Sequence, residues 1–421
     1  MRALLLSILL SVPMLAGTEN SFFLRGATVH PVSSADIPDC AVLVLDGKIA
    51  ELGPKLKPPK GVRIVEAKGL HVYPGMIDSA SQLGLSEISS VAETVDLREL
   101  GTYNPQLRAI VAINTASEHI PVTRANGITA VLALPGGGVI SGQAALVHLE
   151  GWTWEEMAVR PSVGMGVQFP LLQVRIGRGL AVANRVPYAE AKKRYDAQLR
   201  ELSEFILSAR RYQKAKTANA PDFRADLKLE AMLPVIEGKL PVVVTAVRER
   251  AIRDAIQFAE KEKLRLILAQ AREAGKVAAD LKAKNIPVIL GPTLALPLDE
   301  DDPYDEPFTL PAELHKAGVK FAFGSFGNQF ARNLPYQAAN AVAFGLPQQE
   351  ALKAVTLYPA EIWGVAAEMG SVEKGKWADL IVTDGDPLET RTQVRQMFIQ
   401  GKPVDLSNKH LRLYEKYRGR P

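Results

Sequence analysis

Apolar positions change rhythm twice along this chain. From Phe22 to Val72 they come in short runs, Leu24 to His30, Ala41 to Leu45 and Lys48 to Leu52, divided by turn-forming pairs. Asp46-Gly47 predicts a tight hairpin between the second and third runs, because both residues tolerate positive φ. Pro58-Pro59 and Lys60-Gly61 mark another turn before a strand over Val62 to Glu66. The same texture returns at the far end. Ala378 to Thr383 and Gln396 to Ile399 read as strands separated by Asp384-Gly385-Asp386-Pro387, and Gln400-Gly401-Lys402 closes a hairpin.

Between these ends the pattern is of another kind. Ile128 to Leu134, Pro241 to Val244, Leu264 to Ala269, Pro287 to Leu290 and Lys320 to Phe323 are short, almost wholly apolar runs rich in Val, Ile and Leu. Amphipathic segments such as Arg248 to Lys263 and Ala271 to Lys284 predict helices between them. Strands apolar on both faces, alternating with helices, indicate a parallel sheet covered on both sides. The roughly 290 residues between the all-β ends suit a closed eight-stranded (β/α)8 barrel, with an open doubly wound sheet as the alternative. Ala189 to Lys216 predicts one long helix with a narrow apolar stripe of Leu199, Leu202, Phe205 and Ile206 and an otherwise solvated face.

Composition narrows the functional classes. A hydrophobic share of 47% with 23% charged residues is that of a globular protein. Fifty basic against 46 acidic residues leave only +4, spread along the chain except at the tail Lys409 to Arg420, so no concentrated basic face argues for nucleic acid. Arg2 followed by the apolar run Ala3 to Leu15 and the small residues Ala16 and Gly17 has the form of a secretory signal, residues 1–18. The run is short of the ~20 apolar residues of a spanning helix. The expectation is a periplasmic or secreted protein with no membrane attachment after cleavage. Cys40 is the single cysteine, so no internal disulfide can form.

Four stretches together resemble the amidohydrolase superfamily, in particular its imidazolonepropionase-like branch. They are Gly69 to Asp78 at the entry to the barrel, Gly136 to Gln143 with Gly151 to Glu156, Gly318 to Ser325, and Gly370 to Val382 with Asp384 to Pro387 at the return. They occur in the family's order and spacing. The resemblance implies a TIM barrel over residues 75–364 beside a small composite β-sandwich domain of residues 20–74 and 365–421.

The same resemblance implies a metal site, and the chain departs from it. In active members the first barrel strand ends Asp-x-His-x-His, and histidines at i and i+2 share one side of a strand, so both reach one metal. Here that stretch is Asp78-Ser79-Ala80-Ser81-Gln82. The further ligand positions match Thr245 and Gln270, and the catalytic aspartate after Gly324-Ser325 is replaced by Phe326. Metal-assisted hydrolysis needs a metal to acidify water and a carboxylate to take its proton. The six histidines, His30, His71, His119, His148, His315 and His410, are spaced as structural residues rather than as a substitute ligand set. No metal or other cofactor is therefore expected, and no catalytic residue is assigned.

Other constellations are weaker. Gly136 to Gly142 lacks both the P-loop and the dinucleotide signatures and reads as a tight loop at the barrel mouth. The acidic run Asp299 to Glu306 lacks the EF-hand spacing, and the resemblance, whose family carries a similar acidic loop after the seventh strand, implies that it shapes the catalytic face. Trp152 and Trp154 read as packing residues, with a binding rim as the alternative. No Gly-x-Ser-x-Gly elbow marks a serine hydrolase. Two functions stay open: a non-catalytic binding or partner subunit, associating with itself or with an intact amidohydrolase relative, and a hydrolase acting on carbon–nitrogen (non-peptide) bonds through an atypical site at the barrel mouth.

Overall fold

The computed structural model describes residues 19–172, 175–176, 184–299 and 301–420. The signal-like segment before residue 19 lies outside them. Six strands lead the chain: β1 (Phe22–Val29), β2 (Ile37–Leu45), β3 (Lys48–Gly53), β4 (Arg63–Glu66), β5 (His71–Pro74) and β6 (Met76–Ser81). Then come β7 (Ile128–Ala133), β8 (Ile140–His148), β9 (Ala158–Gln168), the two-residue pair β10 (Arg175–Ile176) and β11 (Asn184–Arg185), β12 (Val242–Thr245), β13 (Leu266–Ala269), β14 (Val288–Leu290) and β15 (Phe321–Phe323). The chain ends with β16 (Leu380–Thr383), β17 (Val394–Ile399) and β18 (Lys402–Pro403), followed by a helix, Lys409–Tyr417, with no buried residue.

Both chain ends build one sheet, in the order β18-β17-β16-β5-β1-β2-β3, with β4 paired to β1. Its eight strands are hydrogen-bonded as one continuous sheet. β1 is shared, its first half pairing with β4 and its last residues with β5. The sheet thereby folds around a core of Phe22, Leu24, Val42, Val44, Leu380, Val382 and Phe398, with Phe22 stacked on Phe398 at 4.2 Å. Asp46 and Gly47 both take positive φ in the β2–β3 turn. At Gly47 a side chain would stand 2.5 Å from the Gln400 carbonyl, so glycine is required there on two counts.

The second eight-stranded sheet runs β15-β14-β13-β12-β9-β8-β7-β6 and curls into the barrel. All its neighbours pair in parallel except β8, which is antiparallel to both β7 and β9. The reason is the connection: β7 and β8 are joined by only the glycine-rich segment 134–139, too short for a parallel crossover. Alternation assigns side chains to two cores. Ile77, Ala130, Leu132, Val243, Ile267, Ile289 and Ala322 fill the barrel, while Val242, Val244, Leu266, Leu268, Val288 and Leu290 face the helices. Those helices include Tyr188–Thr217, whose stripe residues Leu202 and Ile206 are buried, and Glu249–Lys261. The segment from Ala271 is not one helix: it turns at Gln270, forms a 3-10 turn over Ala274–Val277, and only then an α-helix, Ala278–Ala283.

Candidate functional site at the barrel mouth

The C-terminal ends of parallel barrel strands carry the sites of this architecture, because the loops that follow them converge there. The loops after β6, β14 and β15 form much of this face. Trp152 does not belong to it. It follows β8, which runs the opposite way, so although 89% exposed it stands at the other end of the barrel, where Thr115 donates to its carbonyl. Trp154 packs against the outer core.

Three of the five positions singled out in the sequence meet at the seam between β6 and β15. Ala80 is fully buried within the barrel core. The Phe326 amide donates to the Ala80 carbonyl at 2.7 Å, and the Gln82 amide to the Gly327 carbonyl at 3.0 Å. Phe326 takes φ +49°, a left-handed conformation unusual for an aromatic residue, and packs on the barrel core. A Cβ on Gly324 would meet the Phe326 ring, the Ala80 Cβ and the Ala80 nitrogen, each at 3.0 Å. The remaining two sit across the barrel. Thr245 ends β12, pairs with Ala269 and accepts from Gln168 Nε2 at 3.4 Å. Gln270 follows in the left-handed region at φ +57°.

Beneath this layer lies Asp78, fully buried. Its Oδ1 accepts from the Ser325 amide at 2.9 Å and the Ala80 amide at 3.3 Å, and its Oδ2 accepts from the Ser325 hydroxyl at 2.5 Å. Burial pushes its carboxyl up to about 6, against the pull of these hydrogen bonds. Asp78 and Ser325 stand out in the sequence only as parts of motifs; their pairing is a tertiary fact.

The donor set does not fit a transition-metal ion. Ala80 and Phe326 offer no ligand atom, and Gln82, Thr245 and Gln270 offer only neutral oxygens and amides. Among the described residues no three of His, Cys, Asp and Glu stand together to share an ion. Five of the six histidines are engaged elsewhere, and His410 is exposed on the C-terminal helix. His148 Nε2 is 2.9 Å from Asp379 Oδ2 in a buried pair joining barrel to sheet. His30 lies between Asp36 and His71, 2.9 Å from each, and stacks on Tyr73. His119 Nε2 is 3.1 Å from the Glu87 carbonyl, and His315 lies beside Glu350.

Further round the same face the acidic run is tied down. Asp299 takes a bidentate salt bridge from Arg248, at 2.5 and 2.8 Å, which joins this loop to the start of the helix after β12. Burial and Asp302 push the Glu306 carboxyl up, and Arg272 pulls it back. Arg272, two residues past Gln270, is not marked by the sequence pattern, because whether a surface arginine has a partner depends on residues far along the chain.

A model of the amidohydrolase family matches residues 251–406. A crystal structure of an amidohydrolase from Thermotoga maritima MSB8 superposes with a TM-score of 0.79 at 26% identity, covering 91% of this chain and 99% of that one. A zinc-bound adenosine deaminase from Xanthomonas campestris shares the fold at a TM-score of 0.53 and 17% identity, over 94% of this chain and 97% of that one. Among curated proteins, the amidohydrolase tasK of Hapsidospora irregularis is 36% identical over 87 residues, 20% of this chain but only 9% of that protein's length.

Proposed function

From the premise that the chain belongs to the amidohydrolase superfamily, we propose that it uses the scaffold for binding rather than for metal-dependent hydrolysis. One observation carries this reading: Phe326 packs on the barrel core with Ala80 beneath it, where the resemblance would put a carboxylate and an imidazole. Apolar groups there remove the two things such hydrolysis needs, a charged ligand for the metal and a base for the water. The seam that holds Phe326 and Ala80 is tied by the Phe326–Ala80 and Gln82–Gly327 backbone hydrogen bonds and by Ser325 on Asp78, which supports a sound scaffold. A sound scaffold with such a mouth suits a subunit that associates with a second copy of itself or with an intact relative, since closed symmetric assemblies are the commonest soluble oligomers.

Metal analysis of the purified protein, run beside a hydrolysis screen of amides, ureas and lactams with and without chelator, tests the reading. It expects well under one metal per chain and no turnover. Stoichiometric metal, lost with an activity on chelation, would overturn it. Light scattering after size exclusion, alone and co-expressed with an intact relative, tests the association. A strict monomer in both cases would remove the partner role.

The second reading is a hydrolase of carbon–nitrogen bonds at an atypical site. It is favoured by the activities named for similar proteins, including the Thermotoga maritima amidohydrolase. Turnover that survives the chelator would select it.

A further inference from the structure

On the rim of the mouth, under residues 291–298, lies a cavity of about 320 Å³ that touches the ends of β12, β13 and β14. Its walls are apolar: Val247, Leu290, Leu298, Pro307 and Leu310. Three polar side chains join them. The Thr293 hydroxyl is already spent, donating to the Gln337 carbonyl at 3.0 Å. Gln270 and Arg272 are not committed, since neither side chain makes a hydrogen bond or ion pair among the described residues.

The state of Arg272 is unusual for its surroundings. The other cations of this rim are matched, Arg248 by Asp299 and Lys276 by Glu273 at 2.9 Å. Arg272 is half-buried with its Nη2 shut away from both water and any partner. Glu306 is close enough to feel its charge, yet the two form no ion pair, and the Glu306 Oε2 is likewise enclosed and unpaired. A guanidinium in a mainly apolar wall loses hydration that only an anion or good hydrogen bonds can replace.

We propose that this cavity binds a small monocarboxylate with an apolar body, its carboxylate on Arg272 and the Gln270 amide and its body against Leu290, Leu298 and Leu310. With Nη2 enclosed, the remaining guanidinium N–H groups are the ones that can donate to a carboxylate oxygen in the cavity, with the Gln270 amide as a second donor. A phosphate dianion would call for more positive charge than one guanidinium and a neutral amide supply. The space equals about ten water molecules, so the ligand has on the order of ten to fifteen non-hydrogen atoms. The inference rests on reading the mouth as a binding face.

Calorimetric titration of the whole protein with 3-phenylpropanoate and 4-methylpentanoate, each against its primary amide, and with acetate as a size control, tests it. Each acid is expected to bind at least about tenfold more tightly than its amide, with acetate weaker than either acid. Arg272→Met should erase the preference for acid while leaving the amide unchanged, with an unaltered circular dichroism spectrum. Ala295→Trp, which fills the cavity and keeps the arginine, should weaken acid and amide together. Equal binding of acid and amide by the unaltered protein, a preference that survives Arg272→Met, or no binding at millimolar ligand would overturn the proposal. The metal and turnover tests are separate from these. Chelator-sensitive turnover with the acid preference intact removes the non-hydrolytic reading alone, and a metal-free, inactive protein without the preference removes this one alone.

Discussion

The hydroxyl of Ser325 lies 2.5 Å from Oδ2 of Asp78, and the amide of Ser325 reaches Oδ1 at 2.9 Å, so one residue of the β15 loop satisfies both oxygens of a buried carboxylate carried by β6. The pair closes the barrel between its first and last strands. Burial of that carboxylate, against the pull of these hydrogen bonds, makes the barrel sensitive to pH.

In the folded chain burial pushes Asp78 up to about 6, from an ordinary value of 3.8. Between those pH values the folded state holds a proton that the unfolded state has lost. Stability should therefore fall as pH rises from about 4 to about 6, by roughly 3 kcal/mol in all, and stay level above that. Urea unfolding from pH 4 to 8 checks this, with Asp78→Asn expected to flatten that part of the curve. A profile left unchanged by Asp78→Asn would assign the pH dependence to other groups.

Gly324 is the contact point of Ala80 and Phe326. A methyl group there would sit 3.0 Å from each, so Gly324→Ala should cost about 1–3 kcal/mol by overpacking. If the Phe326 ring is a main obstacle, adding Phe326→Ala should recover part of the loss. Strict additivity of the two changes in a double-mutant cycle would show that the ring plays no part.

His148 and Asp379, each 3% exposed, face each other at 2.9 Å across the junction of barrel and sheet. The Gln400 amide also donates to Asp379, at 2.7 Å. His148→Ala leaves that carboxylate buried with one partner fewer and should destabilise the chain by about 3–5 kcal/mol. The double variant with Asp379→Asn should be less damaging than the sum of the single changes, because the unpaired charge is then gone. A loss under about 1 kcal/mol for His148→Ala would mean that water replaces the imidazole.

The apolar run Ala3 to Leu15 behind Arg2 motivates a proposal about export. N-terminal sequencing of the protein from cells is expected to begin shortly after Ala16 to Thr18, and the protein to fractionate with periplasmic or secreted material. An intact N-terminus recovered from the cytoplasm or the membrane fraction would rule this out.

Much of the fold is legible in the chain itself. Val242–Thr245, Leu266–Ala269 and Phe321–Phe323 are strands within two residues of their apolar runs, because a strand buried on both faces leaves few positions for polar residues. The long helix, Tyr188–Thr217, likewise follows from its narrow stripe. The segment after Gln270 reads as a single helix and is broken, since its left-handed start is set by packing against β14 and not by local propensity. The antiparallel course of β8, and with it the removal of Trp152 from the mouth, depends on strand pairing that apolar periodicity does not encode.

At the site the division is sharper. Sequence alone determined which chemical groups stand at positions 80, 82, 245, 270 and 326, because a side chain's donor chemistry is a property of its residue type. Tertiary structure alone decided what surrounds them: that Ser325 satisfies Asp78, that the Phe326 ring lies against Gly324 and Ala80, and that Arg272 forms no ion pair while Arg248 forms one with Asp299. The physical reason is distance along the chain. Partnership and burial are set by residues brought from remote strands and loops, and no local pattern of apolar and polar positions carries that information.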